Sequence, residues 1–111
     1  MRVTSVPGPR SVRFDVVGLG ESMLSLFRDS ETAGFSWDVA GAESNVARNC
    51  AALGLRTSWI SRLGNGVAGP LIHDVIAGGG VDTSGVVFSK DAPTGLMLKG
   101  PPKMQPRVQY Y

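Results

Sequence analysis

What most constrains the fold of this chain is the order in which two hydrophobic periods follow one another. Phe14-Asp15-Val16-Val17-Gly18-Leu19 is nearly all apolar and rich in β-branched residues, as a strand buried on both faces would be. Glu21 to Phe27 is apolar again, either a second strand or a continuation past a bend at the glycines. Phe35-Ser36-Trp37-Asp38-Val39 alternates apolar and polar, the pattern of a strand with one exposed face. From Ser44 to Leu53 the residues Val46, Ala47, Cys50, Ala51 and Leu53 recur at helical spacing, and Gly54 stands where a C-terminal cap belongs. Thr57 to Leu63 then reads as a strand and Gly64-Asn65-Gly66 as a turn. Pro70 to Ala77 reads as a second helix, with Leu71, Ile72, Val75 and Ile76 inward and Pro70 in its first turn. Gly78-Gly79-Gly80 ends that helix, and short strands are expected at Val86–Phe88, Gly95–Lys99 and Arg107–Tyr111. The order β-β-β-α-β-α-β-β-β predicts a layered α/β protein with a β appendage.

The 111 residues suffice for one domain with a real core and not for two. Eleven Lys+Arg against nine Asp+Glu leave a formal charge of +2, too small and too scattered to argue for nucleic acid or a membrane surface as partner. No apolar run reaches the roughly 18–20 residues of a membrane helix. Residues 1–13 carry three arginines with no apolar run behind them and read as a flexible leader. The single cysteine, Cys50, excludes an intramolecular disulfide and a multi-cysteine zinc site, so a cytoplasmic location is expected. The run Val108 to Tyr111 stops without turn, cap or polar tail, and the sequence is therefore expected to be a fragment.

Gly64-Asn65-Gly66-Val67-Ala68-Gly69 has the G-x-G-x-x-G form of a dinucleotide-binding turn, with Asp82 about twenty residues on. The ribose-binding acid should end the next strand, whereas Asp82 precedes Val86, so a tight structural turn is the favoured reading. In Ala40-Gly41-Ala42-Glu43-Ser44-Asn45, small residues at a helix start let a ligand approach backbone N–H groups, and Asn45 can donate and accept to a polyol. A well-capped helix needs no ligand, and on these residues alone both readings stand. His73 is assigned a surface or packing role, Cys50 a buried structural one and Trp59 a place in the core. Trp37 either lines a pocket or packs beneath the appendage.

Asn45-x-Ala47, six residues to Gly54 and nine more to Gly64, following Ala40-Gly41, resemble the N-terminal half of the ribokinase-like (PfkB) carbohydrate kinases. Gly78-Gly79-Gly80-Val81-Asp82 and Pro93-Thr94-Gly95 fall where such enzymes place similar residues. Gly20-Glu21, Gly41-Ala42-Glu43-x-Asn45, Pro93-Thr94-Gly95-Leu96 and Arg107-Val108-x-Tyr110-Tyr111 are most similar to 2-keto-3-deoxygluconate kinases.

The resemblance implies a ribokinase-like three-layer α/β/α fold with a small β-sheet lid, truncated after its first part. Residues 14–111 would be the N-terminal part of a carbohydrate kinase domain, holding a sugar or sugar acid, with ATP and Mg2+ bound by the other half. By position Gly41 and Ala42 would offer backbone to the sugar, Asn45 a side-chain hydrogen bond, Met97 a packing surface and Tyr110 its ring and hydroxyl. Lid strands at Phe35–Val39, Gly95–Lys99 and Val108–Tyr111 would also serve a homodimer. Ser25 replaces an Asp that many such kinases use to hold sugar hydroxyls, and Met97 replaces an aromatic. The family's Gly-Ala-Gly-Asp motif, with its catalytic base and anion hole, does not occur, so no catalytic residue is assigned and the chain alone is expected to be inactive. The alternative is a stand-alone sugar-binding or dimerising module.

Overall fold

In the computed structural model, residues 13–100 and 107–111 are described. All but the last residue of the expected leader, and residues 101–106, lie outside them. The elements follow the anticipated order: β1 (Val16–Leu19), β2 (Met23–Arg28), β3 (Phe35–Ala40), α1 (Ala42–Ala52), β4 (Thr57–Gly64), α2 (Ala68–Gly78), β5 (Val86–Ser89), β6 (Leu96–Lys99) and β7 (Val108–Tyr110). They form two sheets. One is parallel, β1-β4-β5, and the other is mixed, β3-β2-β6-β7.

The parallel sheet advances from β1 to β4 to β5. Right-handed crossovers that advance one way leave their helices on one face, and α1 and α2 both pack on the face carrying Trp59 and Leu63. Trp59, Leu63, Ala47, Ile72, Ile76, Val81 and Val39 make the core. Helix α1 meets this face with small residues, Ser44 and Ala47, which lets its backbone approach β1 closely. A Cβ on Gly18 would sit 3.1 Å from the Glu43 carbonyl oxygen. Val46 and Leu53, grouped with the inward stripe by periodicity, are instead exposed, because the buried stripe is centred on Ala47. Cys50 is half-buried rather than buried.

The expectation for β1 was wrong in one respect. Val17 and Leu19 are 53% and 73% exposed, so β1 is covered on one face only. With Ile60 and Val87 they form an apolar surface on the side away from both helices. Among the described residues, one of the two helical layers of an α/β/α arrangement is present.

Both helices end on a glycine in the left-handed region. Gly54 has φ +88° and Gly80 φ +87°. After α1, the Gly54 N–H donates to Ala51 O at 2.9 Å and the Leu55 N–H to Cys50 O at 3.1 Å, the paired closure of a Schellman motif. A Cβ on Gly54 would touch nothing, so only the backbone conformation penalises a side chain there. Gly54→Ala is expected to destabilise by ~1–2 kcal/mol, read from denaturant melts.

At the start of β1, Asp15 Oδ2 accepts the Arg56 N–H at 2.8 Å, and Oδ1 lies 3.4 Å from the guanidinium. The backbone hydrogen bond first, then the side-chain one, holds this carboxyl below its ordinary value. A lowered folded-state value stabilises above the ordinary carboxylate range and is lost as pH falls through it. Asp15→Asn should therefore narrow the stability gap between neutral pH and acid in melts recorded as a function of pH.

Candidate functional site

Strands β1, β4 and β5 all end at one edge, at Leu19, Gly64 and Ser89. Outside the carboxyl ends of such strands is where open α/β sheets hold ligands. The mixed sheet rises from this edge, because β2 follows β1 after a short link and Met23 of β2 pairs with Ala40 at the end of β3. The next residue, Gly41, caps α1. Ser22 Oγ donates to Ser44 Oγ at 2.6 Å and Ser44 Oγ to the Gly41 carbonyl at 3.2 Å, with both serines buried. A Cβ on Gly41 would lie 2.7 Å from the Glu21 carbonyl oxygen and 2.5 Å from Ser22 Oγ, so glycine is required there by close approach.

Pro93-Thr94-Gly95 makes the second connection between the sheets. Thr94 Oγ1 accepts the Gly64 N–H at 2.8 Å at the end of β4, and the Gly95 carbonyl accepts the Leu24 N–H at 3.0 Å in β2. Gly64 and Gly69 are closed against these atoms. A Cβ on Gly69 would overlap the Gly64 carbonyl, and one on Gly64 would meet Thr94 N at 2.7 Å. Asp82 lies at the opposite edge of the sheet, bridged to Ser58 at the start of β4, and its carboxylate closes its own turn by accepting from Ser84 N and Oγ. The glycine motif is thus a packed structural turn and Asp82 a turn residue. Beside this turn, Asn65 to Ala68 and Lys90 to Thr94 line an open cleft of about 420 Å³.

The register of the mixed sheet places Asp38, Ser25, Met97 and Tyr110 directly opposite one another across its four strands, on one face. Met97 is 5% exposed and Tyr110 65%. The opposite face holds Leu24 and Val39, which pack into the core. Ser25 is 1% exposed, and its Oγ has no partner among the described residues. A buried hydroxyl left so costs ~1–3 kcal/mol. Asp38 is exposed, and its Oδ1 accepts the Val39 N–H at 2.7 Å.

Of the five residues expected to meet a ligand, Met97 and Tyr110 are cross-strand neighbours, and Gly41 and Ala42 stand at the foot of the same sheet. Asn45 is one turn into α1, exposed, in a shallow groove of about 370 Å³ with Arg48, Asn49, Ala52 and Gly79. Asp38 was missed. Its place depends on the register of the β2–β3 hairpin, which the polar run after Arg28 does not fix to a single residue. Trp37 is on the face opposite Asp38 and is 46% exposed. His73 is tied at Nε2 to Thr83 Oγ1 (2.9 Å) and at Nδ1 to Asp74 (3.1 Å), with its ring against Phe88. No group of three or more metal-ligating side chains occurs among the described residues.

These close approaches predict a graded alanine series. Gly69→Ala and Gly41→Ala should each lose ~1–3 kcal/mol through overpacking, while Gly66→Ala, with nothing within 4 Å of the added methyl, should melt close to the parent.

The sequence profile of pfkB family carbohydrate kinases matches residues 14–99. A 2-dehydro-3-deoxygluconokinase of Bacillus subtilis is 42% identical over 107 residues, 90% of this chain and 33% of its own. A PfkB protein from Polaromonas sp. JS666 superposes with a TM-score of 0.82 at 38% identity, over 89% of this chain and 35% of that one. A fructokinase with bound ATP from Xylella fastidiosa gives 0.80 at 26% identity, over 86% and 30%. The chain therefore spans about a third of the length of the proteins it matches.

Proposed function

This chain belongs to the pfkB family of carbohydrate kinases, and we propose that it forms the sugar-holding part of an enzyme that transfers the terminal phosphoryl group of ATP to a hydroxyl of 2-dehydro-3-deoxygluconate. The observation that carries the sugar-acid reading is the 42% identity to the Bacillus subtilis kinase across nine tenths of the chain. The geometry is compatible with it. Gly41 and Ala42 stand at the foot of the lid, Asn45 carries an exposed amide one turn later in a groove of its own, and Tyr110 pairs across the strands with the buried Met97. A few polar groups set against apolar walls orient a small ligand in this way.

ATP with Mg2+ would supply the phosphoryl group and neutralise its charge. In the glycine turn Gly64 and Gly69 are closed by packing while Gly66 opens beside the cleft, and no group of three or more metal-ligating side chains occurs among the described residues. Phosphoryl transfer depends on positioning and on electrostatic stabilisation of the moving group. We assign the base and the phosphate cradle to the remainder of a kinase of its relatives' length, and assign to this chain the binding and orienting of the acceptor sugar. By itself it should bind sugar acid without turnover. Phe35 and Trp37, both exposed, and the lid edges β3 and β7 are the surface we assign to a homodimer. The small net charge and single cysteine favour a cytoplasmic enzyme with neither nucleic acid nor membrane as partner.

The test is ATP-dependent phosphorylation by the intact protein, with 2-dehydro-3-deoxygluconate and fructose compared by kcat/KM. The sugar acid is expected to be favoured by about tenfold or more; preference for fructose overturns the sugar-acid reading. Asn45→Ala should raise KM by ~3–10-fold, the loss of one or two neutral hydrogen bonds.

A further inference from the structure

We propose that Asn65, in the turn between β4 and α2, is a site of spontaneous deamidation, where the chain converts its own asparagine to aspartyl and isoaspartyl residues beside the junction with the lid. The inference is independent of the sugar-kinase reading. Asparagine is among the chemically labile residues, and its loss here needs water alone as co-reactant. The main-chain nitrogen of Gly66 attacks Asn65 Cγ and closes a succinimide ring. The Cγ–Nδ2 bond breaks, and Nδ2 leaves as ammonia with the proton that the Gly66 nitrogen has lost. Water then opens the ring at either carbonyl. Breaking the new N–Cγ bond leaves an ordinary aspartyl residue, whereas breaking the original peptide bond leaves an isoaspartyl one, with the main chain routed through the former side chain.

The turn favours that attack in two ways. The residue after Asn65 is glycine, so no side chain shields the attacking nitrogen and the backbone is free to reach the ring-closing geometry. A Cβ on Gly66 would meet nothing within 4 Å, and both residues are exposed in a bend that opens on the cleft shared with Lys90 to Thr94. The nucleophile is also unengaged. Asn65 is held by its own N–H, which donates to the Ser89 carbonyl at 2.9 Å, while the Gly66 N–H has no acceptor among the described residues. Asn45 and Asn49, the other asparagines, are exposed too, but they precede Val46 and Cys50 inside α1. Helical hydrogen bonding engages the nitrogen that would have to attack there.

The two products act differently on the fold. The aspartyl form adds a negative charge just ahead of α2, whose first turn carries no acid and whose positive end tolerates one. The isoaspartyl form lengthens the main chain by a methylene between two positions already closed by packing, Gly64 against Thr94 and Gly69 against the Gly64 carbonyl. It therefore works against the hydrogen bond from Gly64 N–H to Thr94 Oγ1 that ties the lid to β4.

The protein as it occurs, with any sequence flanking this chain, is held folded at physiological temperature at neutral and at mildly alkaline pH. Peptide mass mapping follows all three asparagines, and enzymatic methylation counts isoaspartyl carboxylates. Asn65 is expected to convert to both products while Asn45 and Asn49 remain amides. Conversion should quicken as pH rises, because the attacking nitrogen must lose its proton. Gly66→Ala should slow it about tenfold by shielding that nitrogen and narrowing the backbone. Asn65→Gln, which would need a larger ring, should form no isoaspartate. Asn65→Asp should melt with the parent, and protein enriched in isoaspartate below it. An Asn65 that outlasts or matches Asn45 and Asn49, that converts only once the protein unfolds, or that converts equally fast in Gly66→Ala overturns the site. Isoaspartyl protein that melts with the parent overturns its effect on the junction.

Discussion

Two small hydrogen-bonded junctions hold the lid to the layered sheet, and the geometry above the sheet's carboxyl edge depends on them. At one, the buried hydroxyls of Ser22 and Ser44 run in series to the Gly41 carbonyl. At the other, Thr94 holds the last residue of β4 while Gly95 holds the second residue of β2. Neither junction relies on charge. Each relies on backbone approaching so closely that glycine is required at Gly41, Gly64 and Gly69. Trp59 reinforces the arrangement from beneath, buried at the centre of the parallel sheet with its indole N–H donating to the Gly20 carbonyl. The lid is therefore anchored at its foot, and its far end, with Phe35, Trp37 and Tyr110, is the exposed part.

Much of the fold was legible because its signals are local. Gly54 and Gly80 terminate helices for a reason internal to the backbone, and the number, order and type of all nine elements followed from periodicity between such stops. The errors fell where burial depends on a distant partner. The run Phe14 to Leu19 looks like a doubly buried strand because parallel strands in layered proteins are covered on both faces, yet Val17 and Leu19 have no described neighbour above them. Val46 has the hydrophobicity of a core residue but stands about 100° around α1 from Ala47, outside the stripe that touches the sheet.

The candidate site was legible in part, for the same reason. Gly41, Ala42 and Asn45 fall within five residues at a helix start, whereas the pairing of Met97 with Tyr110 and the place of Asp38 exist only through strand register. A shift of one residue in the β2–β3 hairpin would send Asp38 to the core face and Val39 to the opposite one. Burial of Val39 among Ala47, Trp59 and Ile72 opposes that shift, so the apolar core fixes the position of a charged residue on the other side of the sheet.

That coupling bears on which positions of the mixed sheet can vary. The face of the lid toward the core is committed to packing, and the two junctions are committed to glycine and small hydroxyls. Substitutions that keep the fold are left to the opposite face, where alternate residues of four strands meet in rows. On the row through Ser25 a carboxylate stands on β3, a hydroxyl on β2, a thioether on β6 and a phenol on β7. Of these side chains Asp38 and Tyr110 are exposed and Ser25 and Met97 are buried, so the two outer positions can be exchanged with the least effect on packing.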